Sequence, residues 1–309
     1  MNKLSICCIT FNQDKFVAQA IDGFLNQRVN FDTEIIIGDD SSADCTAKIC
    51  EEYQSKYPER IKLIKNKINI GMGPNFTQTL LQCSGEYIAV CEGDDYWTDP
   101  YKLQKQVDFL DANLDFAICF HNSRILNEEA PEITSFSNPQ SQREINTFED
   151  LAHGEFIYTA TCVFRNANFK KYPTRFDVFL NNYTLDLHNA QFGKIKYINE
   201  VMSVYRKHMG GVWSMVAREK TLMNQLPTYK FYINYFDKKY KHYFIRHVQN
   251  ITNELISIIV ANKDYKNFWR YYKDFVYYNI RNRNKFKRIA YIFLKANYDR
   301  TRQLMAGNE

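Results

Sequence analysis

The sequence predicts an α/β protein: a mostly parallel central sheet flanked by helices, followed by a helical C-terminal region. Three observations predict it. Short apolar runs alternate with segments of helical period through roughly the first hundred residues. The runs are apolar throughout instead of at every second residue, the pattern of strands buried on both faces. After about Gly211 the periodicity is entirely helical, with tyrosine- and phenylalanine-rich amphipathic segments from Glu219 to the end.

Taken in order, Leu4 to Ile9 reads as a first strand, and Lys15 to Gln27 as a helix, because Phe16, Val17, Ala20, Ile21, Phe24 and Leu25 share one face. Glu34 to Gly38 is the next strand. A helix over Ala43 to Tyr57 is stopped by Pro58 and followed by a strand at Ile61 to Ile64. Pro74 to Cys83 fits a third helix, ended by Gly85, before a strand at Tyr87 to Cys91. From Glu128 to Asn146 the chain turns polar, with Pro131 and Pro139, which predicts a mobile loop over the sheet. Strands are expected again at Cys162 to Phe164 and Ile195 to Ile198. The expected division is a catalytic domain over 1–216, with halves 1–100 and 101–216, and a helical, basic and aromatic region over 217–309.

A chain of 309 residues, 45% of them hydrophobic, can bury a full core, and no low-complexity or repeated segment argues for disorder or a solenoid. The N-terminal apolar run leads into Phe11-Asn12-Gln13-Asp14 without a cleavage pattern, so it reads as a strand and not a signal. No apolar stretch approaches the roughly 20 residues that span a bilayer. The expectation is a soluble or peripheral protein of the cytoplasm. Its eight cysteines all lie within the first 162 residues, without zinc spacing, as buried free thiols in a reducing compartment would. The net charge of +5 is modest, but Lys263 to Arg302 holds twelve Lys/Arg against three Asp.

Two acidic turns follow predicted strands, where ligands bind open α/β sheets. Glu92-Gly93-Asp94-Asp95 puts three carboxylates in four residues, a crowding that a hard divalent ion bridging a diphosphate resolves. Asp39-Asp40-Ser41-Ser42 offers acceptors to a base and ribose hydroxyls. Each alone also fits an ordinary acidic surface turn. Together they point to a nucleotide with its metal.

With these pieces the first hundred or so residues resemble glycosyltransferase family 2. The resemblance is carried by Ser5-Ile6-Cys7-Cys8-Ile9-Thr10-Phe11-Asn12, by Asp39-Asp40-Ser41-Ser42-Ala43-Asp44, by Asn69-Ile70-Gly71 with Asn75, and by Gly85-Glu86-Tyr87-Ile88 leading into Glu92-Gly93-Asp94-Asp95-Tyr96-Trp97 and Asp99-Pro100. It implies a GT-A fold and an inverting transfer from a nucleotide-diphosphate sugar, UDP-linked by expectation, to a glycan or lipid-linked acceptor in surface polysaccharide synthesis. It further implies that Thr10, Phe11, Asn12, Asp40, Ser41, Asn69, Gly71 and Asn75 line the nucleotide pocket, that Asp39 meets the base and that Asp94 lies near the ribose and sugar phosphate. Asp95 is implied as the ligand of Mn²⁺ or Mg²⁺. Glu92 stands where the family usually has the first Asp of Asp-x-Asp, and by that position is implied among the residues that bind the nucleotide sugar, its longer carboxylate still able to reach.

An inverting transfer needs a base on the acceptor side. Tyr183-Thr184-Leu185-Asp186-Leu187 resembles the place where the family carries it, often as Glu-Asp; Asp186 is the matching carboxylate and Leu185 replaces the acid before it. Asp186 also fits a helix N-terminus. Tyr205-Arg206-Lys207-His208 resembles the family's Tyr-Arg-x-His, followed by Gly210, Gly211 and Trp213. This implies Arg206, Lys207 and Trp213 on the donor and His208 on the metal or diphosphate, although a solvated histidine reads as well. By the same similarity Gly154 to Cys162 passes under the acceptor, with Tyr158 and Thr159 as sugar contacts or core. The basic tail either packs as ordinary helices or docks on an anionic membrane; no nucleic-acid motif accompanies its charge. A nucleotidyltransferase would instead show a glycine-rich basic loop after the first strand, and a non-catalytic sugar- or membrane-binding scaffold would not need Asp186.

Overall fold

The computed structural model describes residues 2–172, 181–209, 217–262, 265–279 and 298. The chain divides into two compact units, 1–211 and 212–309.

In the first unit the alternation of runs becomes β1 (Leu4–Thr10), α1 (Val17–Leu25), β2 (Thr33–Asp39), α2 (Thr46–Lys56), β3 (Ile61–Lys65), α3 (Met72–Leu81) and β4 (Tyr87–Val90). Every residue of β1 and β4 is buried, as continuous apolar strands require. The chain continues through β5 (Tyr96–Trp97), α4 (Lys102–Ala112), β6 (Phe116–Asn127), β7 (Ser135–Phe136), β8 (Ile145–Asn146) and α5 (Phe148–His153). A 3₁₀ turn (Thr159–Thr161), β9 (Val163–Arg165), α6 (Asn166–Phe169), α7 (Asn182–Ala190) and β10 (Lys194–Lys207) complete it.

The ten strands form one sheet, in the order β3-β2-β1-β4-β9-β6-β10-β5, with β7 beside β6 and β8 beside β10. Strand β1 pairs in parallel with both β2 and β4, so the strand order reverses there. Strand β9 runs antiparallel to β4 and to β6, and β10 lies parallel to β6. Strands β1, β2, β4, β6 and β10 therefore end at one edge of the sheet, and ligands of such sheets bind outside the reversal point on that edge.

The segment expected as a mobile loop, Glu128 to Asn146, is a structured excursion. Strands β7 and β8 pair with the long strands, and Asn138 is buried, receiving Asn122 Nδ2 on its carbonyl at 3.0 Å and donating to the Phe156 carbonyl at 2.8 Å. Ser137, Asn138, Gln142 and Asn146 turn inward to internal hydrogen bonds while the rest of the excursion faces solvent, a difference composition cannot show.

The eight cysteines are free, and all but Cys45 are buried. The second unit is built of α8 (Arg218–Tyr235), α9 (Lys241–Ala261) and α10 (Tyr265–Asn279). Its core is aromatic: Phe244 packs on Tyr232 and Phe236 at ring separations of 5.3 Å, and Arg218 grips Glu254 with two nitrogens at 2.6 and 2.8 Å. Among the described residues no helix is long and apolar enough to cross a membrane.

Gly38, one residue before the end of β2, lets α3 press onto the strand. A Cβ there would lie 2.0 Å from Thr79 Oγ1 and 2.9 Å from Asn75 Oδ1, while Asn75 Nδ2 donates to the Gly38 carbonyl at 2.9 Å. Gly38→Ala is expected to cost about 1–3 kcal/mol through overpacking, seen as a lowered thermal midpoint. An unchanged midpoint would show that α3 is free to move off the strand.

Candidate active site

Three turns leave the sheet at the reversal point. After β1, Thr10 Oγ1 donates to Gln13 Oε1 at 2.8 Å, and Asn12 takes a left-handed φ of 52°. In that conformation the Asn12 amide donates to Ser42 Oγ at 2.9 Å and its Oδ1 accepts the Ala43 amide at 2.8 Å, which knits the first turn to the second. After β2, Asp39 accepts both the amide and the hydroxyl of Ser42, and Ser41 has φ 63°. Phe11 is exposed beside them.

Asp40 and its neighbours, expected on the nucleotide, are engaged with one another in the structure. Asp40 is 3% exposed and accepts from Asn66 Nδ2 and the Ile70 amide, each at 2.9 Å, and from the Gly71 amide at 2.8 Å. Asn69 Nδ2 donates to the Asp40 carbonyl at 3.2 Å, and buried Asn75 joins Asn66 to Gly38. Gly71 caps α3 with φ 90°, a conformation that favours glycine. Asp40, Asn69, Gly71 and Asn75, expected on the nucleotide, spend their polar atoms or backbone geometry on shaping the turn. Asn66, which holds this cluster together and gives Oδ1 to Gln78, carried no signal in the sequence.

The third turn follows β4. A Cβ on Gly93 would meet Gln13 Oε1 at 2.6 Å and Thr10 Oγ1 at 2.9 Å, so the acidic turn lies directly on the first turn. Asp95, expected as the metal ligand, is 2% exposed, and its Oδ1 accepts the Arg206 amide at 2.8 Å. The carboxylate that meets an imidazole is Asp94, whose Oδ2 is 3.1 Å from His208 Nε2. Arg206, expected on phosphate, directs Nε to the Asp94 carbonyl, Nη1 to Glu128 and Nη2 to Gln19 at 2.7–2.9 Å, with Phe16 and Tyr96 rings beside its guanidinium. It is a strut for the acidic turn. Lys207 is exposed at the end of β10, and Trp213 lies outside the described residues.

Helix α7 brings Asp186 to the same edge. Its cap, Asn181, accepts the Thr184 amide at 2.8 Å, and Asn182 Nδ2 donates to Glu92 Oε1 at 3.1 Å across ninety residues of sequence. Asp186 is the fifth residue of the helix, past the capping turn, 2% exposed, and it accepts no hydrogen bond among the described residues. The segment before the 3₁₀ turn is pinned along α7 at both ends: Tyr183 donates to the Leu151 carbonyl at 2.8 Å, and Asn182 also donates to Thr159 Oγ1. Tyr158 meets Tyr205 edge-on at 5.1 Å. Glu155, between the pins, was part of the segment expected under the acceptor, but nothing in the sequence singled it out.

The carboxyl groups are held far from their ordinary behaviour. Burial, then the Asp94 charge, pushes Glu92 up to about 7, with the Asn182 hydrogen bond offsetting part and Glu155 adding. Burial, Asp94 and Glu92 raise Asp95 well above the usual range against the pull of Arg206. Glu155 is exposed at its surface yet crowded by surrounding protein, and the desolvation pushes it up to about 7. Burial and the Glu155 charge raise Asp186 well above the usual range.

Among the described residues no three His, Cys, Asp or Glu side chains converge as a ready-made metal cage. Asp94 and His208 offer one carboxylate and one imidazole. That donor set fits Mn²⁺ or Mg²⁺ when ligand oxygens supply the remaining positions. A cavity lined by Thr77, Leu80, Cys83, Asn166, Phe169 and Tyr172, among others, includes none of these groups.

A family model described as glycosyl transferase family 2 matches residues 5–175. An uncharacterised protein of Mycobacterium tuberculosis strain H37Rv is 39% identical over 214 residues, 68% of this chain and 60% of that protein, so the match spans less than two thirds of the relative. The chain superposes on Staphylococcus aureus TarS 1–349, in complex with UDP-GlcNAc, with TM-score 0.57 and 15% identity, over 93% of this chain and 92% of that one. A mannosyltransferase of Pyrobaculum calidifontis, in complex with GDP-Man and Mn²⁺, gives TM-score 0.59 at 13% identity, over 84% and 75%. At such identities these likenesses establish the fold, a GT-A-like mostly parallel sheet.

The raised Asp186 carboxyl carries a sign. The folded state binds its proton more tightly than the unfolded chain, so its contribution to stability is full below the unfolded value near 4 and is lost as pH rises through the folded value. Asp186→Asn removes that loss. Its thermal midpoint is expected to exceed wild type at pH 8, by about 2–4 °C for each kcal/mol relieved, with little difference at pH 4. A lower midpoint at pH 8 would make Asp186 a structural residue.

Proposed function

The chain belongs to glycosyl transferase family 2, and from that premise we propose that it transfers a sugar, with inversion, from a nucleotide-diphosphate donor to a hydroxyl of a glycan or lipid-linked acceptor in surface polysaccharide synthesis. The observation that carries the reading is Asp186: a buried carboxylate without a hydrogen-bonding partner among the described residues, at the same sheet edge as the acidic turn. A structural aspartate would be paired.

The nucleotide lies over Thr10, Phe11, Asn12, Asp39 and Ser41, with Asp39 and the turn hydroxyls as acceptors for base and ribose. UDP is the favoured nucleotide. Asp94 and His208 would hold a divalent cation, which when bound would supply positive charge to the leaving diphosphate. Asp186 receives the acceptor hydroxyl's proton as its oxygen bonds to the anomeric carbon and the bond to the diphosphate breaks on the opposite face. Asp95 and Arg206 hold the acidic turn in shape. Residues 1–216 form the catalytic domain in this reading. The exposed Trp269, Arg270, Lys273 and Tyr277 of α10 support peripheral contact of the region 217–309 with an anionic membrane surface.

Thermal-shift measurements with UDP, GDP and a panel of their sugars, with and without Mn²⁺, test the donor half. UDP with Mn²⁺ is expected to raise the midpoint, reflecting about 2.7 kcal/mol at a hundredfold excess over Kd. No shift with any nucleoside diphosphate under either condition would sink the reading.

The base is tested by pH. Since Asp186 must be ionised, kcat/KM for nucleoside diphosphate release is expected to fall on an acid limb lying above the usual carboxylate range. Glu155→Gln removes a like charge, so Asp186 ionises at lower pH and the limb moves down. A limb that stays in place, or moves up, would separate Glu155 from the base.

A further inference from the structure

One side chain ties the donor turn to the helix that carries Asp186. Asn182 Nδ2 has two hydrogens and uses both, one on Glu92 Oε1 at 3.1 Å in the turn after β4, the other on Thr159 Oγ1 in the 3₁₀ turn before β9. Asp186 follows four residues later on the same helical face, about 6 Å along the axis. Asn181 caps the helix from the adjacent position, so the first turn of α7 is fixed by two consecutive asparagines.

We infer that Asn182 is a positioning residue that sets the separation between the bound donor and Asp186, and that Glu92 acts through Asn182 and not as a ligand of the cation. The inference rests on the glycosyltransferase reading. It accounts for the glutamate at position 92. An aspartate would be shorter by one methylene, about 1.5 Å, which opens the 3.1 Å contact beyond hydrogen-bonding range. The longer acid reaches the acceptor helix; the shorter one stops short of it.

Length and charge are separable at this position. Glu92→Gln keeps the length and an acceptor oxygen for Asn182 but loses the charge that a cation would need; Glu92→Asp keeps the charge and loses the reach. A displacement of the base by about 1 Å can cost on the order of a hundredfold in rate. Asn182→Ala and Glu92→Asp are therefore each expected to lower kcat for nucleoside diphosphate release by about 10- to 100-fold, with UDP affinity, measured calorimetrically with Mn²⁺, changed less than about threefold. Glu92→Gln is expected to retain more turnover than Glu92→Asp, and the Asn182→Ala/Glu92→Asp double variant to be no slower than the worse single one.

The opposite order at position 92, multiplicative losses in the double variant, or UDP affinity falling in step with kcat would overturn the inference. If wild-type protein turns over none of the sugar nucleotides, the glycosyltransferase reading fails, and the tie is judged on thermal midpoints alone. Losses in the two single variants that fall short of adding in the double support it, and strictly additive losses overturn it.

Discussion

A hydrogen bond from the Arg206 backbone amide to the Asp95 carboxylate at Oδ1 joins the end of β10 to the acidic turn, and the site is assembled around it. Its neighbours extend the same junction. The Arg206 guanidinium reaches back to the Asp94 carbonyl and out to Glu128 beyond β6 and Gln19 on α1, so four elements converge on one buried side chain. Two residues further on, His208 falls beside Asp94 and against the Phe16 ring, 4.7 Å between centroids. An arginine suits this position because its planar fork satisfies several acceptors at once while its charge partly offsets the carboxylates it holds. A lysine there would present a point charge and leave most of those acceptors without a partner.

The arrangement is costly in isolation. Glu92, Asp94 and Asp95 share one turn, Glu155 and Asp186 stand nearby, and no Lys or Arg forms an ion pair with any of the five among the described residues. Glu92, Asp95 and Asp186, raised by burial and neighbouring charges, destabilise the fold as pH rises through their raised values, and such strain survives where the surroundings over-determine it. Here the over-determination is visible: β1 and β4 are wholly buried, Trp97 is anchored by Nε1 on the Ala160 carbonyl at 2.8 Å, and Gly93 packs the turn onto Thr10. The carboxylates of the turn are held by single neutral or weakly charged partners, Asn182 on Glu92, His208 on Asp94 and the Arg206 amide on Asp95, instead of by a closed salt-bridge network.

Much of the first half was legible because its physics is local. Buried parallel strands must be apolar throughout, helices on such a sheet must carry one apolar face, and the turns between them must hold the polar chemistry. What lay beyond the sequence depends on neighbours. The reversed strand β9 between β4 and β6 looks like any short apolar run, and the antiparallel β7 and β8 are two residues long inside a polar stretch. Within the acidic turn, adjacent aspartates are equivalent in sequence; only the approach of β10 decides that Asp95 is turned onto an amide while Asp94 meets His208. Asp39 and Asp40 divide in the same way, the one on Ser42 and the other on the loop that leads into α3.

Two departures from the family pattern become intelligible together in the folded chain. Leu185 stands where an acid often precedes the base, and it is buried in the core, so no carboxylate fits there without another change. The negative charge acting on Asp186 comes instead from Glu155, on a segment held against α7 by Tyr183 at one end and Asn182 at the other. Glu92 is longer than the aspartate usual at its position, and the added reach is what meets Asn182. The surroundings of Asp186 thus take charge and anchorage from parts of the chain distant in sequence, while the apolar face of α7 is freed to pack. A carboxylate supplied from a separate segment can be tuned by moving that segment, without disturbing the helix that holds Asp186.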